Sequence, residues 1–172
     1  MQIDSYKTAF NDWFSDESIR NAIRESVALI ASSRRMFFIG NGGSNAICSH
    51  MMEDFMKMAG KQCFSFSDPA LITCFANDYG YENALEKWIE FNAQEGDVLV
   101  AISSSGESKN ILNAVDAHRR LGGKVISISG FKKGNSLSAK GDISIHTEMN
   151  NYGVVECFHQ VILHSILDEI VK

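Results

Sequence analysis

The stretch that most constrains this chain is 98–110, Val-Leu-Val-Ala-Ile-Ser-Ser-Ser-Gly-Glu-Ser-Lys-Asn. Five consecutive apolar residues, 98–102, show no alternation. That is the pattern of a strand covered on both faces, as in a parallel sheet. Ile111, Leu112, Val115 and Leu121 then recur at helical spacing. Between strand and helix stand Ser103, Ser104, Ser105, Gly106, Glu107 and Ser108. Four hydroxyls and a glycine thus sit at a strand's carboxyl end and a helix's beginning, where first-turn N–H groups lack partners and the helix dipole is positive. A helix cap needs one serine. Four within six residues fit a phosphate, which binds readily at such a terminus. Open α/β sheets take ligands outside the carboxyl ends of their strands, so the stretch reads as a pocket for a phosphorylated small molecule.

A second unit of the same kind precedes it. The apolar strand Arg35–Ile39 runs into Gly40-Asn41-Gly42-Gly43-Ser44, and a helical pattern covers 45–58. Glycines let a backbone approach a ligand closely. The spacing is neither a Walker loop nor a GxGxxG dinucleotide fingerprint. Around these units the chain reads as helices at 1–14 and 16–33 and a strand at 62–66. A helix then starts at Asp68-Pro69 and a turn-rich break covers 77–81. A helix at 82–92, strands at 124–128 and 142–146, and a last helix at 153–171 complete it. The apolar–polar alternation of 142–146 marks an edge strand. Tyr6, Phe10, Trp13 and Phe14 form an aromatic stripe that either docks on its own chain or meets a partner subunit. Strands alternating with helices imply an α/β, three-layer αβα domain with a five-stranded parallel sheet in flavodoxin-like order.

Composition narrows the function. Sixteen basic against twenty-one acidic residues give a net charge of −5, without a basic run, which argues against a nucleic-acid partner. No apolar run is long enough to span a membrane, and 1–15 has no continuous apolar core of a signal peptide. Cys48, Cys63, Cys74 and Cys157 lack zinc-finger or CxxC spacing and read as buried free thiols of a reducing, cytoplasmic setting. No aromatic flanking of a phosphate loop suggests a flavin, and neither loop suggests a nucleotide.

Two helices carry the acid–base chemistry. His50 and Asp54 lie one turn apart on one face of the 45–58 helix, as an intrahelical hydrogen bond, a general base or two metal ligands. The final helix brings Glu156, His159, Gln160 and His164.

Taken together, Gly40-Asn41-Gly42-Gly43-Ser44, Asn77-Asp78 and Ile102-Ser103-Ser104-Ser105-Gly106-Glu107-Ser108 resemble the SIS (sugar isomerase) domain. Within it they look most like the phosphoheptose isomerase family, over nearly the whole chain. The resemblance implies a single domain over 1–172, with 1–33 at a subunit interface of a homotetramer. It implies an aldose–ketose isomerisation of sedoheptulose 7-phosphate through an enediol(ate), as in heptose supply for lipopolysaccharide or capsule. By resemblance, Ser103, Ser104, Ser105 and Ser108 hold the phosphate. Asn41, Gly42 and Gly43, with Ser44 beside them, form the first ligand-binding turn, and Asn77, Asp78 and Glu156 line the sugar. Asp54 and His164 are then the acid/base pair, and some members bind zinc at the positions of His50, Asp54, Glu156 and His164.

The chain departs from the family where glutamate is shortened to Asp54 and glutamine becomes Glu156. Met58 stands in place of an arginine, and Gly153 in place of an aspartate. Eight residues separate Glu156 from His164, about 12 Å along a helix, so one ion joins both only between long side chains or across subunits; Gln160–His164 is the closer pair. A second reading, also from the resemblance, is a non-catalytic SIS protein that binds a phosphosugar or a replication initiator.

Overall fold

The computed structural model describes residues 2–172; Met1, the first residue of the expected N-terminal helix, lies outside them. Two helices, α1 (Gln2–Phe14) and α2 (Glu17–Ser32), lead into β1 (Arg35–Ile39), α3 (Gly43–Ala59) and β2 (Gln62–Ser65). Then follow α4 (Pro69–Tyr79), α5 (Tyr81–Asn92), β3 (Val98–Ser103), α6 (Lys109–Arg120) and β4 (Lys124–Gly130). A short 3-10 turn (Ser138–Lys140), β5 (Ile143–Thr147) and α7 (Tyr152–Ile170) complete the chain. The strands lie in the order β2-β1-β3-β4-β5 with every pairing parallel. This is the flavodoxin-like order, and β5 is an edge, as its alternation predicts.

The pleat of the sheet divides the core in two. Met36, Phe38, Val100, Ile102 and Ile128 face α1, α2, α3 and α7. Phe37, Ile39, Leu99, Ala101 and Val125 face α4, α5 and α6. All six residues of β3 are buried, which is why that strand carries no polar alternation until Ser103. Asp16 caps α2 by accepting from the Ser18 N–H, and Asp68 caps α4 with Pro69 at its first position. The aromatic stripe of α1 docks on its own chain: Phe10 stacks on Phe158 at 4.2 Å between centroids, and Trp13 packs on the same ring.

Three expectations are corrected. Asn77 and Asp78 do not form a turn but lie in the last turn of α4. The helix stops only at Gly80, whose φ of 77° suits glycine, while the Asn77 side chain bonds Asp78 instead of competing for the main chain. Of the four cysteines, only Cys48 and Cys63 are buried; Cys74 and Cys157 are exposed, and all four are free thiols. Helix α3 begins at Gly43, two residues before the apolar pattern does.

Candidate active site

The carboxyl ends of β1 and β3 are neighbours in the sheet, so the glycine turn and the serine loop come together at one rim. There a cavity of about 150 Å³ is lined by Asn41, Ser44, the serines 103–105 and 108, Tyr152 and Glu156. Helices α3 and α6 both begin at it. Neither is capped by a side chain: Gly42 has none to offer, and the Ser108 hydroxyl turns to Ser103 Oγ at 3.4 Å. The cavity thus meets two helix N-termini whose first-turn amides and positive dipole ends favour an anion. Within the loop, Ser103 Oγ accepts from Gly106 N–H at 3.1 Å and Ser105 Oγ from Glu107 N–H at 3.2 Å. These bonds fix the oxygens and leave the Ser105 and Ser108 hydroxyl protons to donate to a ligand.

The loop is braced from behind. Gly106 has a φ of 68°, and a Cβ there would lie 2.1 Å from Asn135 Oδ1, so glycine is required on both counts. Buried Asn135 donates to Ser129 Oγ and to the carbonyls of Gly130 and Lys132, and it accepts from Ser138 N–H. Leu137 N–H donates to Gly106 O. Glu107 accepts from the Ser136 amide and hydroxyl, bonds that hold its carboxyl below the usual carboxylate range.

The two strand ends are tied by a reciprocal amide pair. Asn41 Nδ2 donates to Asn110 Oδ1 at 3.0 Å, Asn110 Nδ2 donates to Asn41 Oδ1 at 2.8 Å, and Tyr81 OH donates to the same Asn41 oxygen at 2.9 Å. Neither Asn110, Tyr81 nor Asn135 was among the residues expected from the sequence.

The acid–base groups lie below this rim, where α3 and α7 run side by side. Contacts fall in parallel order along the two helices: Gly43 against Glu156, Met51 Sδ against Gln160 Nε2 at 2.9 Å, and Asp54 against His164. His50 Nε2 is 3.2 Å from Asp54 Oδ2, His164 Nδ1 is 4.0 Å from the same oxygen, and the two imidazole centroids are 5.3 Å apart. One donor atom each from His50, Asp54 and His164 lies within 4.8 Å of the others. Glu156 is not in this group. Two turns earlier on α7, its carboxylate lies over Gly43 and lines the serine cavity. Two imidazoles and a carboxylate at this separation match a three-ligand zinc site with an open fourth position. Asn77 and Asp78 are exposed on α4 and line neither the serine cavity nor the adjoining one beside Gly42.

Comparison with known proteins gives the family to which this fold belongs. Residues 14–130 match the SIS domain family. A phosphoheptose isomerase from Fusobacterium nucleatum is 34% identical over 178 residues, covering 96% of this chain and 91% of that protein. The solved phosphoheptose isomerase from Neisseria gonorrhoeae superposes with a TM-score of 0.91 at 22% identity, over 98% of this chain and 94% of the other. That from Francisella tularensis gives 0.85 at 26%, over 98% and 94%. The fold and rim define an SIS-domain protein, and the chain belongs to the phosphoheptose isomerase family of SIS-domain isomerases. Among the described residues, no helix is long and apolar enough to cross a membrane.

Proposed function

We propose that this chain interconverts a seven-carbon ketose phosphate, sedoheptulose 7-phosphate, and the corresponding aldose phosphate through an enediol(ate). The carrying observation is the meeting of His50, Asp54 and His164 between α3 and α7, below a serine-lined anion cleft at the head of the same two helices. The phosphate binds the Ser103, Ser104, Ser105 and Ser108 loop and the free amides of α3 and α6. From Glu156 at the cleft to His164 is eight residues, about 12 Å along α7. An extended seven-carbon chain reaches about 10 Å from phosphorus to its terminal carbon, at roughly 1.2 Å per bond. With the phosphate anchored, the carbonyl end is carried most of that way, and the Asp54 and His164 side chains extend to meet it. Glu156, on the way, accepts hydrogen bonds from sugar hydroxyls.

Isomerisation moves one proton between adjacent carbons while a second proton passes between their oxygens. Asp54 and His164 supply that pair: one takes the carbon-bound proton and returns it to the neighbouring carbon, and the other donates to and accepts from the oxygens. His50, against Asp54 Oδ2, orients the carboxylate. The same three side chains are suited to hold a zinc ion, which when bound would polarise the sugar carbonyl as a Lewis acid. A protein that only bound a phosphosugar would have no use for an imidazole–carboxylate group at the carbonyl end. Exposed Ile3 and Phe14 on α1, and Met56 and Met58 beyond the triad on α3, support assembly into a homotetramer through these helices.

The test is proton exchange with D2O at the carbon beside the carbonyl of sedoheptulose 7-phosphate, followed by NMR. Asp54→Asn and His164→Ala abolish exchange and turnover while inorganic phosphate still binds. Full turnover in either variant overturns the assignment.

A further inference from the structure

Among the described residues, no cation lines the serine cleft, and one of its lining groups, Glu156, is a carboxylate. A phosphate seated there is held by neutral N–H and O–H donors, whose bonds strengthen when the acceptor is charged. The serines and the free amides of α3 and α6 supply some of them. Tyr152 carries the remaining hydroxyl of the lining, and a phenol donates more strongly than an alcohol. Tyr152 is 62% exposed, and among the described residues no protein group hydrogen-bonds its hydroxyl. It opens α7, one turn before Glu156 and on the same face. Twelve residues separate it from His164, about 18 Å along the helix. That exceeds the roughly 10 Å that a seven-carbon chain spans from its phosphorus. Tyr152 therefore stands at the phosphate end of the site and away from the carbonyl end.

The Tyr152 ring is propped by Phe131, which meets it edge-on at 4.7 Å between centroids and 80° between planes. Among the described residues, Phe131 is the one non-glycine with a positive φ, 56°, a conformation that a bulky side chain rarely adopts. Such strain persists where the surroundings fix it, and it clusters at ligand sites. Two main-chain bonds fix it here. Gly130 N–H donates to Ser104 O at 3.0 Å, and Phe131 N–H donates to Met149 O at 3.1 Å. The first ties the turn to the serine loop, and the second ties it to the approach to α7. Neither Phe131 nor Tyr152 belongs to either half of the core, so the strained turn serves the cleft and not the packing of the sheet. We propose that Tyr152 positions the phosphate, its phenol donating to a phosphate oxygen, and that Phe131 is a positioning residue that holds the phenol at the cleft. The proposal rests on the reading that seats the substrate's phosphate among these serines.

The test is calorimetric titration of the full chain with inorganic phosphate, beside turnover of sedoheptulose 7-phosphate. Tyr152→Phe keeps the ring and removes only the hydroxyl. It raises the phosphate midpoint about tenfold, the effect of one hydrogen bond to a charged group. KM for the sugar phosphate rises by a similar factor while kcat changes by less than about twofold, because the lost contact is made equally in the ground and transition states. Phe131→Gly raises the phosphate midpoint about threefold, a part of the same loss. In the Tyr152→Phe background Phe131→Gly has no further effect, since both act through one hydroxyl. A parental phosphate midpoint in Tyr152→Phe overturns the inference, and so do effects of the two changes that simply multiply. A parent chain that binds no phosphate overturns the reading of the cleft itself, and the inference falls with it.

Discussion

Gly43 is the most informative single position. It opens α3, and a Cβ built on it would lie 2.5 Å from Glu156 Oε1 and 2.7 Å from Glu156 Cδ, with no backbone obstacle as near. Its φ is not positive, so alanine fits the main chain. Gly43→Ala therefore leaves the fold alone and displaces one carboxylate. Helix propensity contributes up to about 1 kcal/mol in favour of alanine. Swinging the half-exposed Glu156 side chain off its rotamer costs about 0.5–1.5 kcal/mol. These nearly cancel, so Tm should stay within about 4 °C of the parent. The glutamate, however, moves by about 1 Å or more at the sugar, a misplacement that lowers turnover about a hundredfold. Thermal unfolding and kcat/KM for sedoheptulose 7-phosphate, measured on one preparation, check both halves. Parental kcat/KM in Gly43→Ala would show that Glu156 has no part in the site. A fall in Tm far beyond that range would show that the clash is with the fold.

Two further outcomes follow from buried His159 and from the zinc site proposed at His50, Asp54 and His164. His159 is fully buried, and burial, with the nearby His146 acting in the same direction, holds its pKa down to about 4 despite some relief from the Ser129 main chain. The unfolded chain takes up this proton near pH 6.5 and the native chain does not. Stability is therefore complete above about pH 6.5 and declines as pH falls toward 4, by about 3 kcal/mol in all. Urea unfolding at pH 7 and 4.5 should show the loss, and His159→Leu should remove that part of it; an unchanged slope in the variant refutes the assignment. For the metal, zinc at about a hundred times its Kd should stabilise the parent by about 2.7 kcal/mol. His50→Ala should abolish the rise in Tm, and no rise in the parent ends the zinc reading.

Much of the fold was legible because its signals are local. An unbroken apolar run at β3, alternation at β5 and Pro69 after a capping Asp68 each need only a few neighbours to be read. The serine and glycine loops were legible for the same reason. What was missed depends on partners far along the chain. Asn110 is one polar residue among several at the start of α6 until Asn41, 69 residues away, takes both ends of its amide. Asn135 lies in a segment that reads as a connection, and only its fit over Gly106 reveals it as a brace. Glu156 and His164 share a helix in the sequence, but the course of α7 along α3 is what assigns one to the cleft and the other to Asp54. The break expected over 77–81 shrinks to Gly80 because Asn77 and Asp78 also tolerate a helix's last turn when their side chains bond each other.

The Asn41–Asn110 clasp makes the glycine turn and the serine loop a single mechanical part. Each carboxamide is held in register by its counterpart, and Tyr81 takes a remaining lone pair of Asn41. Loss of either side chain leaves the other stranded at the same seam, so the second truncation adds little harm to the first. A ligand that tightens one strand end must stiffen the other as well. On the function proposed above, affinity for the phosphate and placement of the sugar become one inherited trait, which selection tunes apart only by replacing both asparagines.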